Sequence, residues 1–237
     1  MDNDSFILIT GAAKRVGRAI ALHLASHGYH IAIHYNHSVD EAQSLKAQVE
    51  ALGRTALLIQ ANLEDPAQVE AIIPTVAAKG VVAALVNNAS LFGHDDIGSA
   101  TLDGWNRHLA VNLTAPFILA QSYGHSTTEG RIINLLDWRT RRSDSSHLSY
   151  SVSKAALEAL TRNLAVSFAP RIQVNGLALG AILPPSDGRP ADQLIEAVPA
   201  QRWAKLEEVG EAVRFLLEGP SYINGEVITL DGGRHLI

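Results

Sequence analysis

Short apolar runs alternate with longer amphipathic stretches along the whole chain. The runs are rich in Ile, Val, Leu and Ala, and they cover residues 6–9, 31–33, 56–59, 81–86, 132–136, 172–174 and 227–230. A strand without alternating polar residues is typical of a sheet that is covered on both faces. The runs therefore predict seven buried strands of a parallel sheet.

The stretches between the strands show helical spacing. Gly28 and Gly53 stand where two helices would end, and Pro66 stands at a typical first position of a third. The predicted helices run from residue 16 to Gly28, over 40–52, from Pro66, over 102–121 with an interruption at Pro116, over 150–168 and over 207–217. This order predicts a single-domain α/β fold over residues 1–237: a Rossmann-type, doubly wound, parallel seven-stranded sheet with helices on both faces.

A doubly wound sheet binds its ligands at the carboxyl ends of the strands. The segment 184–190, between the sixth strand and the last helix, is rich in Pro and Gly. We expect it to form a mobile loop over the site, within a substrate loop at about residues 181–205; a surface connection without a role is the alternative.

Composition excludes several classes of function. Among 237 residues there are 19 Lys and Arg against 24 Asp and Glu, so the net charge of −5 offers no footprint for nucleic acid or an anionic membrane. The absence of cysteine excludes disulfides, thiolate metal sites and a cysteine nucleophile. Without a basic N-terminal leader or an apolar run of ~20 residues, a cytoplasmic protein is expected. His23 and His27 are four residues apart but lack an evident third ligand, so we predict no metal site.

The turn between the first strand and the first helix, residues 10–17, has the pattern of a phosphate-binding turn. Gly11 permits a tight turn, and Gly17 lets the helix pack close to the strand. Free backbone N–H groups and a helix N-terminus would then face an anion. A plain strand-to-helix turn is the alternative, but its place on the first strand favours a dinucleotide.

Two features favour NADP(H) over NAD(H). Residues 34–38, after the second strand, include no carboxylate for the ribose 2′-hydroxyl, and the next acidic residue is Asp40. Lys14 and Arg15 bring two cations into the turn, which suits a 2′-phosphate. The alternative is that the pair lies on a solvent-exposed helix face, as such pairs often do.

Tyr150 and Lys154 are four residues apart on a predicted helix, so they lie on one side of it. A nearby cation favours the phenolate, and we therefore expect Lys154 to lower the pKa of Tyr150. Tyr150 is the predicted proton donor to a substrate that is reduced by hydride.

Together with Asn87-Asn88-Ala89, Asn112 and Asp231-Gly232-Gly233, these motifs resemble the short-chain dehydrogenase/reductase family, in order and over almost the whole chain. The resemblance implies that Asn112 organises a water relay to Lys154, that Lys154 binds the nicotinamide ribose, and that the protein is a homotetramer. It also implies a set of cofactor contacts: Gly11, Arg15, Val16, Gly17, Tyr35, Asn36, His37, Ser38, Asn62, Leu63, Asn88, Ala89, Ser90, Tyr150, Lys154 and Ile182.

One departure from the family pattern changes the expected chemistry. Commoner members have serine thirteen residues before the tyrosine, where this chain has Asp137. An ionised carboxylate only accepts hydrogen bonds, and two negative charges ~4 Å apart repel by ~4 kcal/mol at an effective dielectric of 20. Asp137 therefore disfavours a ketone substrate, whose reduction forms an alkoxide. It suits a substrate that accepts hydride at a C=N bond, or one that presents N–H donors to the carboxylate. Reduced pterins offer both; the alternative is that Asp137 points away from the site.

The same substitutions mark a subgroup. Arg15, residues 34–38, residues 87–92, Asp137 with Tyr150, and the closing residues 230–236 are similar to pteridine reductases and to bacterial dihydromonapterin/dihydrofolate reductases. This resemblance implies that Phe92 stacks a pterin against the nicotinamide and that Ser90 contacts the cofactor or the pterin, with Asp137 and Tyr150 completing the substrate site. A buried core position is the alternative for Phe92. Ser38 and Arg15 would face the 2′-phosphate, with His37 where relatives often carry arginine.

The sequence thus predicts an NADPH-dependent reductase of a reduced pterin of the dihydromonapterin, dihydrofolate or dihydrobiopterin class. A carbonyl reductase of the 3-oxoacyl thioester type is one alternative, and a non-catalytic NADP-binding sensor is another. Arg139, Arg141 and Arg142 follow Asp137 and are expected to be solvated, with contact to an anionic substrate tail as the other possibility.

Overall fold

The centre of the fold is a parallel sheet of seven strands in the order β3-β2-β1-β4-β5-β6-β7. The computed structural model describes residues 5–142, 145–184 and 195–237. The strands are β1 (Phe6–Ile9), β2 (His30–Tyr35), β3 (Ala56–Gln60), β4 (Val82–Asn87), β5 (Gly130–Asp137), β6 (Ile172–Leu179) and β7 (Val227–Leu230). Every neighbouring pair is parallel, so the predicted doubly wound sheet is confirmed. The strand order reverses between β1 and β4, which is where such sheets bind ligands.

Helices cover both faces of the sheet. They are α1 (Arg15–Ser26), α2 (Val39–Ala51), α3 (Pro66–Ala77), α4 (Leu102–Leu109), α5 (Ala115–Ser126), α6 (Leu148–Phe168) and α7 (Leu206–Glu218), with short 3-10 turns at Trp138–Arg141 and Arg234–Leu236. Ile7 and Ile9 belong to one buried cluster and Leu8 to another, because successive side chains of a strand point to opposite faces. The two layers of helices therefore bury both faces of the sheet.

The helix predicted over 102–121 is broken, but not at Pro116. A π-helical turn, Ala110–Thr114, separates α4 from α5 and lies just before the proline. Pro116 has no N–H to donate to the carbonyl of Asn112, so the irregularity falls in the preceding turn. The break therefore lies at Asn112, a predicted site residue.

Strand β6 is five residues longer than predicted, because the segment before β7 satisfies the side chain of its polar residue Asn175. Asn175 donates to the carbonyl of Ile223 at 2.9 Å and accepts from the backbone N–H of Glu226 at 3.0 Å. Its neighbour Gly176 is close-packed: a Cβ there would lie 2.5 Å from the Leu136 side chain. The longer strand carries the chain up to Leu179, beside the end of β5.

Parts of the predicted substrate loop lie outside the described residues, namely 185–194. The flanking residues, up to Pro184 and from 195 to 205, are described. Within the described parts of the chain, no helix has the length and apolarity that spanning a membrane requires. The same residues hold no group of three potential metal ligands.

Candidate active site

The phosphate-binding turn is fastened to the end of β4. The Thr10 hydroxyl accepts hydrogen bonds from the backbone N–H groups of Asn88 and Ala89, each at 3.0 Å. The Asn88 amide donates to the carbonyls of Thr10 at 2.8 Å and Gly11 at 3.1 Å. Since β1 and β4 are the strands at which the order reverses, these bonds set the shape of the turn at the predicted cofactor site.

The two glycines of the turn are required by its geometry. Gly11 has a φ of +61°, a conformation that favours glycine. A Cβ on Gly17 would lie 2.4 Å from the Gly11 carbonyl oxygen and 2.6 Å from the Asn88 amide nitrogen. The N-terminus of α1 therefore approaches the turn as closely as the backbone allows, as a dinucleotide pyrophosphate requires.

Basic side chains surround a groove of about 500 Å³ beside this turn. It is lined by Ala13, Lys14, Arg15, Arg18, Asp40, Glu41 and Ser44. Lys14 pairs with Glu41 at 3.3 Å, and Arg18, which the sequence analysis did not single out, donates to the Ser44 hydroxyl at 3.1 Å. Arg15 has a φ of +53° and donates to the carbonyl of Pro184 at 3.1 Å, so it connects the turn to the start of the substrate loop.

The remaining predicted cofactor contacts lie around the ends of β2, β3 and β4. Asn36 donates to the Asn62 side chain at 3.4 Å, which brings two of the predicted cofactor contacts together. The buried members are Tyr35, Leu63 and Ile182, the partly buried ones are Val16 and Ser38, and His37 and Ser90 are exposed.

The buried His34 side chain connects the phosphate-binding turn to the end of β3, a role that sequence reasoning missed. Its Nδ1 accepts a hydrogen bond from the Gly11 N–H at 3.1 Å, and its Nε2 bonds the carbonyl of Ala61 at 3.1 Å. The ring is therefore neutral with its proton on Nε2, and burial lowers the pKa of His34 to about 4. The available sign of this role was a histidine between the apolar run 31–33 and Tyr35.

Two of the predicted catalytic side chains, Tyr150 and Asp137, meet at the carboxyl end of β5. Tyr150, in the first turn of α6, donates from its hydroxyl to Asp137 Oδ2 at 2.7 Å. Asp137 is the last residue of β5, its side chain is 13% exposed, and its Oδ1 also accepts from the Arg139 N–H at 2.9 Å. The carboxylate thus faces the tyrosine instead of pointing away.

The expectation that Lys154 lowers the pKa of Tyr150 is wrong for this structure. Burial, the negative charge of Asp137 and the hydrogen bond to it raise the pKa of Tyr150 well above its usual value. Lys154 Nζ lies 6.0 Å from the ring centroid and donates to the Leu135 carbonyl at 2.8 Å. Burial lowers the pKa of Lys154 itself to about 8. Tyr150 is therefore a protonated phenol that donates a hydrogen bond to a carboxylate.

Arg139 contradicts the expected solvation of the three arginines. Its guanidinium pairs with Asp137 at 3.3 Å, its side chain is only 21% exposed, and it lies 5.7 Å from the centroid of the Phe92 ring. The backbone of the Trp138–Arg141 turn explains this, because it brings the chain back over the Asp137 carboxylate. Arg141 and Arg142 are exposed.

Phe92 is not a core residue, since 56% of it is exposed. Its ring stacks on His147 at 4.5 Å and meets the Tyr150 ring edge-on at 4.7 Å. Ser90, two residues earlier, donates only to the adjacent Leu91 carbonyl at 3.2 Å among its described contacts. An aromatic surface therefore stands beside the catalytic hydroxyl.

The Asn112 side chain joins the Leu91 backbone to Ser153. Its side chain accepts from the Leu91 N–H at 2.8 Å and donates to the Leu91 carbonyl at 3.0 Å and the Ser153 hydroxyl at 2.9 Å. Those bonds join the loop that carries Phe92 to α6. The water relay from Asn112 to Lys154 stays a prediction.

A second tether joins the same loop to α6, and sequence reasoning missed it. The Asp95 carboxylate accepts from the Ser149 N–H at 3.1 Å and from the Ser149 hydroxyl, one residue before Tyr150. A carboxylate at a helix N-terminus is favourable, since it satisfies free N–H groups there. Asn112 and Asp95 together position Phe92 against Tyr150.

Comparisons with known proteins agree with this geometry. A family model described as enoyl-(acyl carrier protein) reductase, of the short-chain dehydrogenase type, matches residues 11–235. A 3-oxoacyl-[acyl-carrier-protein] reductase of Synechocystis sp. is 30% identical over 234 residues, which is 95% of each chain. The FolM alternative dihydrofolate reductase 1 of Brucella canis, solved as a complex with NADP, is 38% identical with a TM-score of 0.93, over 100% of this chain and 96% of that one.

A short-chain dehydrogenase of Burkholderia cenocepacia, also complexed with NADP, is 36% identical with a TM-score of 0.92, over 98% of each chain. The family match, the relatives and the site geometry point to one class of protein. The chain belongs to the short-chain dehydrogenase/reductase family of oxidoreductases.

Proposed function

We propose that this protein is an NADPH-dependent reductase of reduced pterins, which transfers hydride to the carbon of a ring C=N bond. The observation that carries the proposal is the 2.7 Å hydrogen bond from the Tyr150 hydroxyl to the Asp137 carboxylate. An acceptor-only carboxylate beside the proton donor suits a substrate whose ring presents N–H groups and whose reduced atom is a nitrogen.

The described residues fit NADP(H). The Gly11 and Gly17 backbone forms a cradle that a Cβ would fill. Residues 34–38 at the end of β2 include no carboxylate, and the groove beside the cradle is lined by Lys14, Arg15 and Arg18 together with Asp40 and Glu41. Related structures solved as complexes with NADP support the same cofactor. When bound, the nicotinamide supplies the hydride. Residues of the turn would hold the phosphates, and Lys154 would hold the nicotinamide ribose.

Proton transfer is assigned to Tyr150 and Asp137. Tyr150 holds its proton at neutral pH because burial and the Asp137 charge raise its pKa. Hydride addition to the carbon leaves the electron pair of the C=N bond on the nitrogen, which then takes the phenolic proton because it is a stronger base than the Tyr150 phenolate. The phenolate stands beside the Asp137 carboxylate, the positive charge of Arg139 offsets part of that repulsion, and a proton from solvent restores the phenol. Asp137 retains an oxygen with which to accept a ring N–H.

The charge argument against a carbonyl substrate is weakened, not removed, by Arg139. An alkoxide ~4 Å from Asp137 would meet a repulsion of ~4 kcal/mol at an effective dielectric of 20. The Arg139 guanidinium, 3.3 Å from the same carboxylate, offsets part of this charge. We therefore expect carbonyl reduction to be slow in the wild-type enzyme instead of absent.

Reduction of a 3-oxoacyl thioester is the second candidate. It is favoured by two relatives that are 3-oxoacyl-[acyl-carrier-protein] reductases, from Synechocystis and Staphylococcus epidermidis, at 30% and 31% identity. Those relatives place this chain in the right family for that reaction. The carboxylate at Asp137 is the local feature that argues for pterins instead.

One assay separates the candidates: NADPH oxidation with 7,8-dihydrobiopterin, dihydromonapterin, dihydrofolate and acetoacetyl thioesters side by side. Turnover of a dihydropterin at least tenfold faster than that of the thioester supports the proposal. Turnover of the thioester alone would refute it. NADPH binding without turnover of any substrate would indicate the non-catalytic sensor. We also propose a cytoplasmic homotetramer, to be tested by fractionation and by light scattering.

A further inference from the structure

Four aromatic rings form a continuous row from the catalytic tyrosine to the protein surface. The Phe92 ring meets the Tyr150 ring edge-on, with 4.7 Å between centroids, and stacks on the His147 ring at 4.5 Å, with 24° between the planes. The His94 ring lies 4.2 Å from the His147 ring, with 38° between the planes. We call Phe92, His147 and His94 the ring stack. It connects the exposed His94 to the residue that carries the catalytic hydroxyl.

His147 is the central member of the ring stack, because it contacts both of the other rings. It is only 6% exposed, whereas Phe92 and His94 are exposed. Ring pairs at such separations favour their arrangement by roughly two- to tenfold in the equilibrium constant. A change at His94 therefore reaches Phe92 through His147.

The backbone holds the members of the ring stack side by side. The Asp95 N–H donates to the Ser146 carbonyl at 3.2 Å, and the Leu148 N–H donates to the Asp95 carbonyl at 3.0 Å. These bonds make a parallel bridge between Asp95 and His147, so the loop after β4 runs along the segment that enters α6. His94 precedes Asp95 directly, and the bridge therefore places its ring beside that of His147.

Phe92 needs such support, because more than half of it is exposed and the core does not fix the direction of its ring. An exposed side chain changes rotamer within picoseconds to nanoseconds unless its neighbours hold it. Fixing a side chain when a ligand arrives weakens the affinity for that ligand. A ring that is already held avoids this loss. The ring stack therefore strengthens binding of a substrate that lies flat on the part of Phe92 that His147 leaves open.

We propose that His94 is a positioning residue that determines specificity for flat ring substrates: through His147, it holds the Phe92 ring beside the Tyr150 hydroxyl. The inference rests on the proposed function for the identity of the reacting ring. An acyl thioester has a flexible chain without a ring, so it gains little from an oriented phenyl plane. The ring stack thus favours pterins over thioesters, in addition to the charge of Asp137.

The test is a calorimetric titration of biopterin, a flat pterin, into protein saturated with NADP⁺. The variants are His94→Leu, which removes the planar ring, and His94→Phe, which keeps one. The control is His125→Leu, since His125 is exposed in the last turn of α5, just before β5 begins, and so lies at the opposite end of the sheet from the site. Matching thermal melting curves establish that each variant is folded.

We expect His94→Leu to weaken biopterin binding about fivefold, with His94→Phe and His125→Leu within about twofold of the wild type. The affinity for NADP⁺ should stay within twofold in all of them. Wild-type affinity for biopterin in His94→Leu, an equal loss in His94→Phe, or failure of biopterin to bind the wild type would overturn the proposal.

A double-mutant cycle tests whether His94 acts through Phe92. In protein that already carries Phe92→Leu, the ring that His94 is proposed to hold is missing. His94→Leu should then change the biopterin affinity by less than about 1.5-fold. A full fivefold loss in that background would show that His94 acts on the ligand by another route.

Turnover distinguishes this inference from the proposed function. If the enzyme reduces dihydropterins, His94→Leu should raise the KM for dihydrobiopterin about fivefold and leave kcat within about threefold. The KM values for NADPH and for an acetoacetyl thioester should stay within about twofold. Equal losses for both substrates would indicate a general loosening of the site and count against the proposal. If no dihydropterin is reduced, the proposed function fails, and the titration alone decides whether the ring stack supports a flat ligand.

Discussion

The two halves of the sheet present different chemistry at their carboxyl ends. On the β1–β3 side, the phosphate-binding turn is held by backbone groups and neutral side chains whose hydrogen bonds are satisfied, such as Thr10 and His34, and the charged side chains line the groove beside it. On the β5–β7 side, it is made of charged and aromatic side chains, among them Asp137, Arg139 and Phe92. The first half is shaped by close packing and the second by electrostatics.

This difference reflects what each half has to recognise. A dinucleotide pyrophosphate is common to a large family, and backbone N–H groups in a rigid turn bind it whatever the substrate is. A substrate ring and its proton transfer differ from enzyme to enzyme, so charges and side chains change there. Substitutions in the second half should change the chemistry, and those in the first should change cofactor affinity and stability.

Removal of the phenol should have the largest effect. Tyr150→Phe keeps the ring against Phe92 but removes the proton donor, so we expect kcat to fall by about 10³-fold, within the range for loss of a general acid. Single-turnover kinetics with the preferred dihydropterin measure this. The affinity for NADPH should change by less than about threefold. A fall in kcat below tenfold would show that another group supplies the proton.

Asp137→Ser tests the charge argument most directly. With the carboxylate gone, the repulsion against an alkoxide disappears and Tyr150 loses the two interactions with Asp137 that raise its pKa. We expect the kcat/KM for dihydropterins to fall about 10²-fold and that for acetoacetyl thioesters to rise, as measured side by side. The basic limb of the pH–rate profile should also move to lower pH. Unchanged dihydropterin rates would show that Asp137 takes no part in the reaction.

Gly17→Ala tests the close packing of the phosphate-binding turn on the β1–β3 side of the site. The new Cβ would lie 2.4 Å from the Gly11 carbonyl oxygen, a backbone atom that cannot turn aside. We expect a loss of about 3 kcal/mol in the free energy of unfolding and a weaker affinity for NADPH, measured by urea denaturation and by cofactor fluorescence titration. Gly98→Ala is the matched control, since its nearest neighbour would be the far end of the Asp96 side chain at 3.4 Å. Equal stability of the two variants would contradict the close packing of the turn.

The sequence predicts the β1–β3 side of the site better than the β5–β7 side. Periodicity identifies the strands and helices, and Gly11 and Gly17 mark the turn, because a backbone constraint leaves a fixed residue type at a fixed spacing. The contacts of Arg139, Asp95 and Asn112 join elements that are distant in the chain or depend on a turn after β5, and no local pattern encodes them. The pKa of Tyr150 was predicted in the wrong direction for the same reason: its burial and its exact partner are tertiary properties.

His34 gives the smallest expected effect on the β1–β3 side of the site but the most specific one, because it acts through the pH dependence of the free energy of unfolding. Its folded pKa of about 4 is below the ordinary value of 6.5, so the unfolded chain binds the proton more readily. The stability that neutral His34 contributes is therefore fully present above pH 6.5 and is lost as the pH falls toward 4. By linkage, the wild type should lose about 2 kcal/mol from this group between pH 7 and pH 5.

Glutamine does not titrate between pH 7 and pH 5. The loss of unfolding free energy over this interval should therefore be about 2 kcal/mol smaller in His34→Gln than in the wild type. Urea denaturation at the two pH values measures the difference. The KM for NADPH should also rise in His34→Gln at pH 7 while kcat stays the same, because the Gly11 N–H loses its acceptor in the turn. Identical pH dependence in His34→Gln and the wild type would show that another group controls acid stability and that the imidazole is not held neutral beneath the turn.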